Sequence, residues 1–168
     1  MNLTNLKLLF SNNGCMKVYV KTLSANDNSK NQVYIGGNFE VLNIFPLSEI
    51  IGEEAGDWNK ERFKAKIDFS WIDDKGSIFS APKAQLILYP KYPEVRFSGF
   101  LLGCQKPPSE LMTQRLANRL LFFSVTQNGK ILGYVTSPSS EIANEFNQTE
   151  FDSIHGVFSV IDLPIAKN

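Results

Sequence analysis

Asp57, Glu61, Lys64 and Lys66 are the residue types that magnesium-dependent phosphodiester cleavage requires, two carboxylates and a lysine converging on one metal and one activated water. Asp57 and Glu61 fall at a loop-to-strand junction, and Asp73, Asp74 and Lys75 fall in a turn, so solvated charge accounts for both groups. His155 is the single histidine, and with only Cys15 and Cys104 far from it in sequence it cannot complete the three or four ligands of a zinc site. Gly36-Gly37 lacks the Lys-Ser/Thr of a phosphate-binding loop. Cys104, beside Gly103 just after a strand, reads as a structural thiol, since no histidine partner for a nucleophile is evident. The chain is therefore expected to hold no catalytic residue, no metal and no cofactor of its own.

Two polar segments suit recognition better than catalysis. Residues 21–34 begin at Lys21 and end at Tyr34, and between them lie Ser24, Asn26, Asp27, Asn28, Lys30, Asn31 and Gln32 with no large apolar side chain after Leu23 and before Val33. Asn and Gln pair with an adenine edge, Asp accepts from cytosine, and Lys meets guanine or phosphate. Such an arm is narrow enough to enter a major groove. The second segment is Tyr89-Pro90-Lys91-Tyr92-Pro93-Glu94-Val95-Arg96-Phe97-Ser98. Its two prolines stiffen a turn that holds Lys91, Tyr92, Glu94, Arg96 and Ser98 forward. An arginine that grips guanine and a glutamate that accepts from the cytosine amino group together suit a G·C pair.

The charge is unevenly placed. The formal net charge is +0, yet residues 81–131 contain seven basic and two acidic residues, a local excess of +5 that the rest of the chain balances. Phosphate attraction acts within about 8–10 Å, so a neutral chain with one basic region can still bind DNA. Lys30, Lys106, Arg115 and Arg119 are expected to meet phosphates, which fix register but carry no sequence information. A composition of 43% hydrophobic and 20% charged residues excludes a disordered tail, and 13 Phe can fill a core. Two cysteines make no disulfide framework, which points to a reducing cytoplasmic setting, and no apolar run reaches the 18 residues of a membrane span.

The elements that would position these loops are short strands. Alternation predicts strands over residues 17–23, 33–35, 63–71, 84–89, 95–102, 120–125, 131–136 and 157–161. Asp73-Asp74-Lys75-Gly76 and Gln127-Asn128-Gly129-Lys130 read as hairpin turns. Helical spacing predicts short helices in residues 1–14, 39–45, 107–119 and 139–146, residues 49–60 read as an acidic loop, and residues 162–168 as the start of a linker. The expectation is one domain over residues 1–168, mainly β, a seven- to eight-stranded open pseudobarrel with two to four short helices.

The run Val18-Tyr19-Val20-Lys21-Thr22-Leu23-Ser24-Ala25-Asn26-Asp27, with Tyr34 and Phe45-Pro46 at similar positions, resembles the N-terminal effector domain of EcoRII-type (type IIE) restriction endonucleases. The segment from Tyr89 to Phe100 is similar to the N-terminal region of larger enzymes whose C-terminal half is a monomeric MvaI/BcnI-like nuclease. The resemblance implies a pseudobarrel related to plant transcription-factor domains of the B-three type, which clamps the major groove between two arms. It implies that residues 21–34 are the N-arm and residues 89–98 the C-arm, and that the target is double-stranded DNA of CCWGG type. It further implies a monomeric effector or targeting domain within a restriction-modification enzyme, joined beyond residue 168 to a nuclease domain that requires Mg2+. This chain departs from the EcoRII effector in a less basic C-arm. Two other readings stand beside it: a protein–protein module using the Phe- and Pro-bearing loops, and a self-contained nuclease using Asp57, Glu61 and Lys64.

Overall fold

The computed structural model describes residues 1–24, 27, 32–37, 39–47, 50–55, 60–109, 118–154 and 158–163, with the backbone alone at 50, 53–55, 60, 61 and 154. The elements run α1 (Leu3–Asn12), β1 (Lys17–Thr22), β2 (Gln32–Gly36), a 3-10 helix (Phe39–Ile44), β3 (Ile50–Ala55), β4 (Lys60–Lys66), β5 (Phe69–Ile72), β6 (Ile78–Ser80), β7 (Gln85–Tyr89), β8 (Glu94–Ser98), β9 (Leu120–Val125), β10 (Ile131–Thr136), α2 (Glu141–Asn147), β11 (Asp152–Ile154) and β12 (Phe158–Asp162). Both α-helices start on side-chain caps. Asn2 accepts from the Asn5 amide at 2.8 Å, and Ser140 Oγ accepts from the Ala143 amide at 3.1 Å.

The strands form two sheets. The first has the order β11-β12-β1-β9-β10-β5-β6 and the second β2-β8-β7-β4-β3. All pairings are antiparallel except β10 with β5. The inner faces of the two sheets share one core, in which Leu23, Ile35, Leu86 and Phe97 meet Phe69, Trp71, Leu121 and Phe123. The indole N–H of Trp71 in the first sheet donates at 2.8 Å to the carbonyl of Phe100, just past the end of β8, and ties the two layers together.

A second core lies on the opposite face of the first sheet. There Leu3, Leu6 and Phe10 of α1 and Ile142, Ala143 and Phe146 of α2 cover Val18, Val20, Phe122 and Tyr134. A strand covered on both faces must be apolar throughout, which is how Leu120–Val125 and Ile131–Thr136 read. Neither α-helix packs on the outer face of the second sheet. Its strands β2 and β8 alternate, with Val33 and Ile35 buried between Gln32 and Tyr34, and Val95 and Phe97 buried between Glu94, Arg96 and Ser98, whereas β7 is buried at Leu86, Ile87 and Leu88 alike. The molecule is therefore layered as helices, first sheet and second sheet.

Several expectations change in detail. Residues 50–55, read as part of an acidic loop, form β3 and pair with β4 in the register Ile51↔Lys64 and Gly52↔Phe63. The signal was hidden because Gly52 leaves room for the Phe63 ring, whose Cε1 would lie 3.1 Å from any Cβ there. The single strand expected over residues 63–71 is two strands, and the chain changes sheet between Lys66 and Phe69. The short strands β6 and β11 escaped notice because three residues show too little periodicity. Twelve strands are thus found among the described residues, arranged as an open pseudobarrel. Asp162 pairs with Lys17, and Leu163 is 7% exposed with its amide bonded to the Met16 carbonyl at 2.9 Å, so both belong to the sheet and not to a linker. Residues 110–117 of the expected third helix lie outside the described residues.

Candidate nucleic-acid interface

Residues 21–34, expected as the N-arm, run from the end of β1 in the first sheet to the start of β2 in the second. Its root is built around one buried carboxylate. Asp27 is 3% exposed, and its Oδ2 accepts from the Ser24 amide at 2.7 Å, the Ser24 hydroxyl at 2.9 Å and the Lys21 ammonium at 3.1 Å. Its Oδ1 accepts from the Tyr34 amide at 2.9 Å. Burial pushes the Asp27 carboxyl up, but the Ser24 and Tyr34 amides and the Lys21 charge outweigh it, and the net shift is downward. Lys21 is itself 7% exposed. These two residues, expected at bases or phosphates, are turned inward and pin the two ends of the arm together. A loop that leaves one sheet and enters another needs such a tie, and a carboxylate with four donors supplies it.

The segment expected as the C-arm is the β7–β8 hairpin. Tyr89 pairs with Glu94, and Pro90, Lys91, Tyr92 and Pro93 form the turn between them. Lys91 is exposed with its ammonium 5.9 Å from the Tyr92 ring centroid, and Tyr92 is itself exposed. Glu94 and Arg96 stand two residues apart on the same strand face and form an ion pair, with the Arg96 Nε donating to the Glu94 carboxylate. The planar guanidinium is thereby held in one orientation, with Nε and Nη2 both against Glu94 Oε1 and the Nη1 donors pointing away from that contact.

The pairing of β2 with β8 brings the two arms together. Gln32 lies opposite Ser98 and Tyr34 opposite Arg96, all on the outer face of the second sheet. A β-bulge between Tyr34 and Gly36 breaks the register just beyond this point. A Cβ at Gly37 would stand 2.7 Å from the Tyr34 hydroxyl and 3.9 Å from the Pro93 carbonyl, so the missing side chain lets Tyr34 lean toward the C-arm turn. Gly99 ends β8 with φ +70, and a Cβ there would fall 1.9 Å from the Lys83 carbonyl oxygen.

Other expected residues sit elsewhere. Asn26, Asn28, Lys30, Asn31, Arg115 and His155 lie outside the described residues. Lys106 bonds Asp73 at 2.6 Å and stands 5.0 Å from the Phe79 ring centroid, against the β5–β6 hairpin of the first sheet. It lines a groove of about 260 Å3 there with Trp71 and Tyr134. Lys106 and the Ser77 amide hold the Asp73 carboxyl below its usual range. Arg119 is half-buried at the N-arm root, where its carbonyl accepts from the Leu23 amide at 2.8 Å. Of the residues weighed for nuclease chemistry, Asp57 and the Glu61 side chain are outside the described residues, and Lys64 stands on the outer face of β4. Among the described residues no group of three His, Cys, Asp or Glu side chains is placed to hold a metal ion. Cys15 is buried, which raises its thiol pKa against a lowering hydrogen bond with Ser124, and Cys104 is half-buried at the core edge. No helix among the described residues is long and apolar enough to cross a membrane.

No protein family and no curated protein matches the sequence. The fold does have a solved counterpart, the B3 domain of the UbaLAI restriction endonuclease, crystallised with cognate DNA. The two superpose with a TM-score of 0.51 at 16% identity, over 94% of this chain and 96% of that one. The chain has a B3-like fold. The likeness extends over nearly the full length of both chains and is not confined to one hairpin.

Proposed function

We propose that this chain is a sequence-specific double-stranded DNA-recognition domain whose two arms read base edges in a major groove. The observation that supports it best is the β2–β8 pairing, which sets Gln32 and Tyr34 beside Ser98 and Arg96 on the outer sheet face. In this reading Arg96 takes guanine with the Nη protons that Glu94 does not hold, while Glu94 accepts from the cytosine of the same pair. Asn26, Asn28, Asn31 and Gln32 offer further base contacts from the N-arm, and Lys30, Lys91, Tyr92 and Ser98 border them. Lys21 and Asp27 act as positioning residues, because their mutual ion pair sets where the arm leaves the sheet. The UbaLAI domain was crystallised with cognate DNA, and this chain shares its fold, which favours a DNA ligand here. The domain serves as the effector or targeting part of a type II restriction endonuclease, with a CCWGG-like target and cleavage residing in another domain.

A gel shift with a CCWGG duplex and a scrambled duplex of the same composition tests this. Neutralising about five phosphates gives a slope of about −4 to −5 in log affinity against log salt, with tighter binding to the CCWGG duplex. Binding that is flat with salt contradicts the DNA reading and favours a protein partner.

A further inference from the structure

Tyr34 is held at both of its ends. Its amide donates at 2.9 Å to Asp27 Oδ1, and the other oxygen of that carboxylate accepts from Lys21 and Ser24. The backbone of Tyr34 is thus fastened to the root of the N-arm. Its side chain belongs to the other segment. Tyr34 lies opposite Arg96 in the β2–β8 register. Its hydroxyl and the Pro93 carbonyl oxygen of the C-arm turn border one small space beside Gly37, 2.7 Å and 3.9 Å from where a Cβ would stand. The ring is 36% exposed and joins neither core, so core packing does not fix its position. Two local features do. The register shift between Tyr34 and Gly36 bends the strand here, and Gly37 has no side chain to fill the space. Gly37 has no positive φ, so it is the space and not the backbone that calls for glycine. The neighbouring Gly36 serves a different contact, since a Cβ there would meet Val41 Cγ1 of the 3-10 helix at 3.0 Å.

We propose that Tyr34 is a positioning residue that spaces the two arms, and that the absent side chain of Gly37 makes that position specificity-determining. This inference rests on the DNA-recognition reading above and deepens it. Hydrogen bonds to base edges hold over a narrow range of donor–acceptor distance, from about 2.7 to about 3.2 Å. Arg96 and the N-arm side chains must therefore be set apart correctly at the same time. A Cβ at Gly37, 2.7 Å from the phenol oxygen, forces it to retreat by about 0.7 Å to reach the 3.4 Å at which ordinary contact begins. That displacement exceeds the range over which a base contact survives. Phosphate contacts are less demanding, because the attraction between charges acts within about 8–10 Å. A shift of the spacer thus weakens the choice among base sequences and leaves the salt-dependent part of binding as it was.

The test is fluorescence anisotropy of the full chain on CCWGG and scrambled duplexes across a salt series, with a thermal melt of each variant to verify its fold. Gly37→Ala is expected to lower the ratio of the two affinities about tenfold with the salt slope unchanged. Tyr34→Ala, which removes the spacer and leaves Gly37 alone, lowers the ratio to a similar extent. In the Tyr34→Ala background Gly37→Ala has no further effect, because no ring is left to displace. Arg96→Ala costs less discrimination in the Gly37→Ala background than in wild type, because the reading by Arg96 depends on the spacing. A Gly37→Ala chain that discriminates like wild type overturns the inference. So does full additivity of Gly37→Ala with Arg96→Ala, which makes Tyr34 an independent contact. Either result leaves the reading of the arms intact. A wild-type chain that binds both duplexes alike, or neither, overturns both.

Discussion

The two sheets have the same kind of strands and opposite surroundings. The first is covered by the second sheet on one face and by α1 and α2 on the other, so its central strands are apolar at nearly every position. The second has neither helix on its outer face, and β2 and β8 alternate, while β7 is buried through its middle. The difference assigns the labour: residues on β9 and β10 are committed to packing, and the outward residues of β2 and β8 stay part-exposed. The β2–β8 edge of that face, with Gln32, Tyr34, Glu94, Arg96 and Ser98, is a polar surface where the first sheet has a hydrophobic interior.

That contrast is most easily broken from the inside. Phe122, 0% exposed on β9, packs against Phe146 of α2 with ring centroids 5.9 Å apart. Phe122→Ala is expected to cost about 3–5 kcal/mol of stability in urea denaturation, from lost burial and the cavity left behind. Asp27→Ala comes next, at about 3 kcal/mol, because it leaves the Lys21 ammonium buried without its partner. Its particular signature is faster proteolytic cleavage in residues 24–32 than in the sheets. The Asp27 carboxyl titrates below its unfolded value of about 3.9, so its contribution is present above that pH and fades as pH falls through the lower folded value. An acid titration of wild type and Asp27→Asn should therefore converge in stability only at low pH.

Arg96→Ala sharpens the comparison from the other side. Its ion pair with Glu94 is part-exposed, so stability changes by less than about 1 kcal/mol. Affinity for the cognate duplex falls by about 1–3 kcal/mol while affinity for a scrambled duplex changes little. Equal loss on both duplexes would make Arg96 a phosphate contact.

Much of this layout was legible in the sequence, and the limits have physical causes. Strand alternation at residues 63–71, the Asp73–Gly76 turn and the short helix within residues 139–146 are local signals, and the structure has them where the periodicity put them, apart from the change of sheet. The polar arms were visible as breaks between apolar runs. Neither the burial of Lys21 and Asp27 nor the placement of Lys106 beside Asp73 could be read that way, because each depends on a partner that the fold supplies. A charged residue in a polar loop looks the same in sequence whether it faces solvent or closes the loop on itself. The hydrogen-bonding residues spaced Ser24-x-x-Asp27 were the one available hint of the closed root.

The most direct test is an amide NMR titration of the full chain with a CCWGG duplex. The account predicts that the largest shifts fall on Gln32, Tyr34, Lys91, Glu94, Arg96 and Ser98, with α1, α2 and the outer surface of the first sheet unmoved. Shifts concentrated on the helices or on the groove beside Lys106, with β2 and β8 silent, would contradict it.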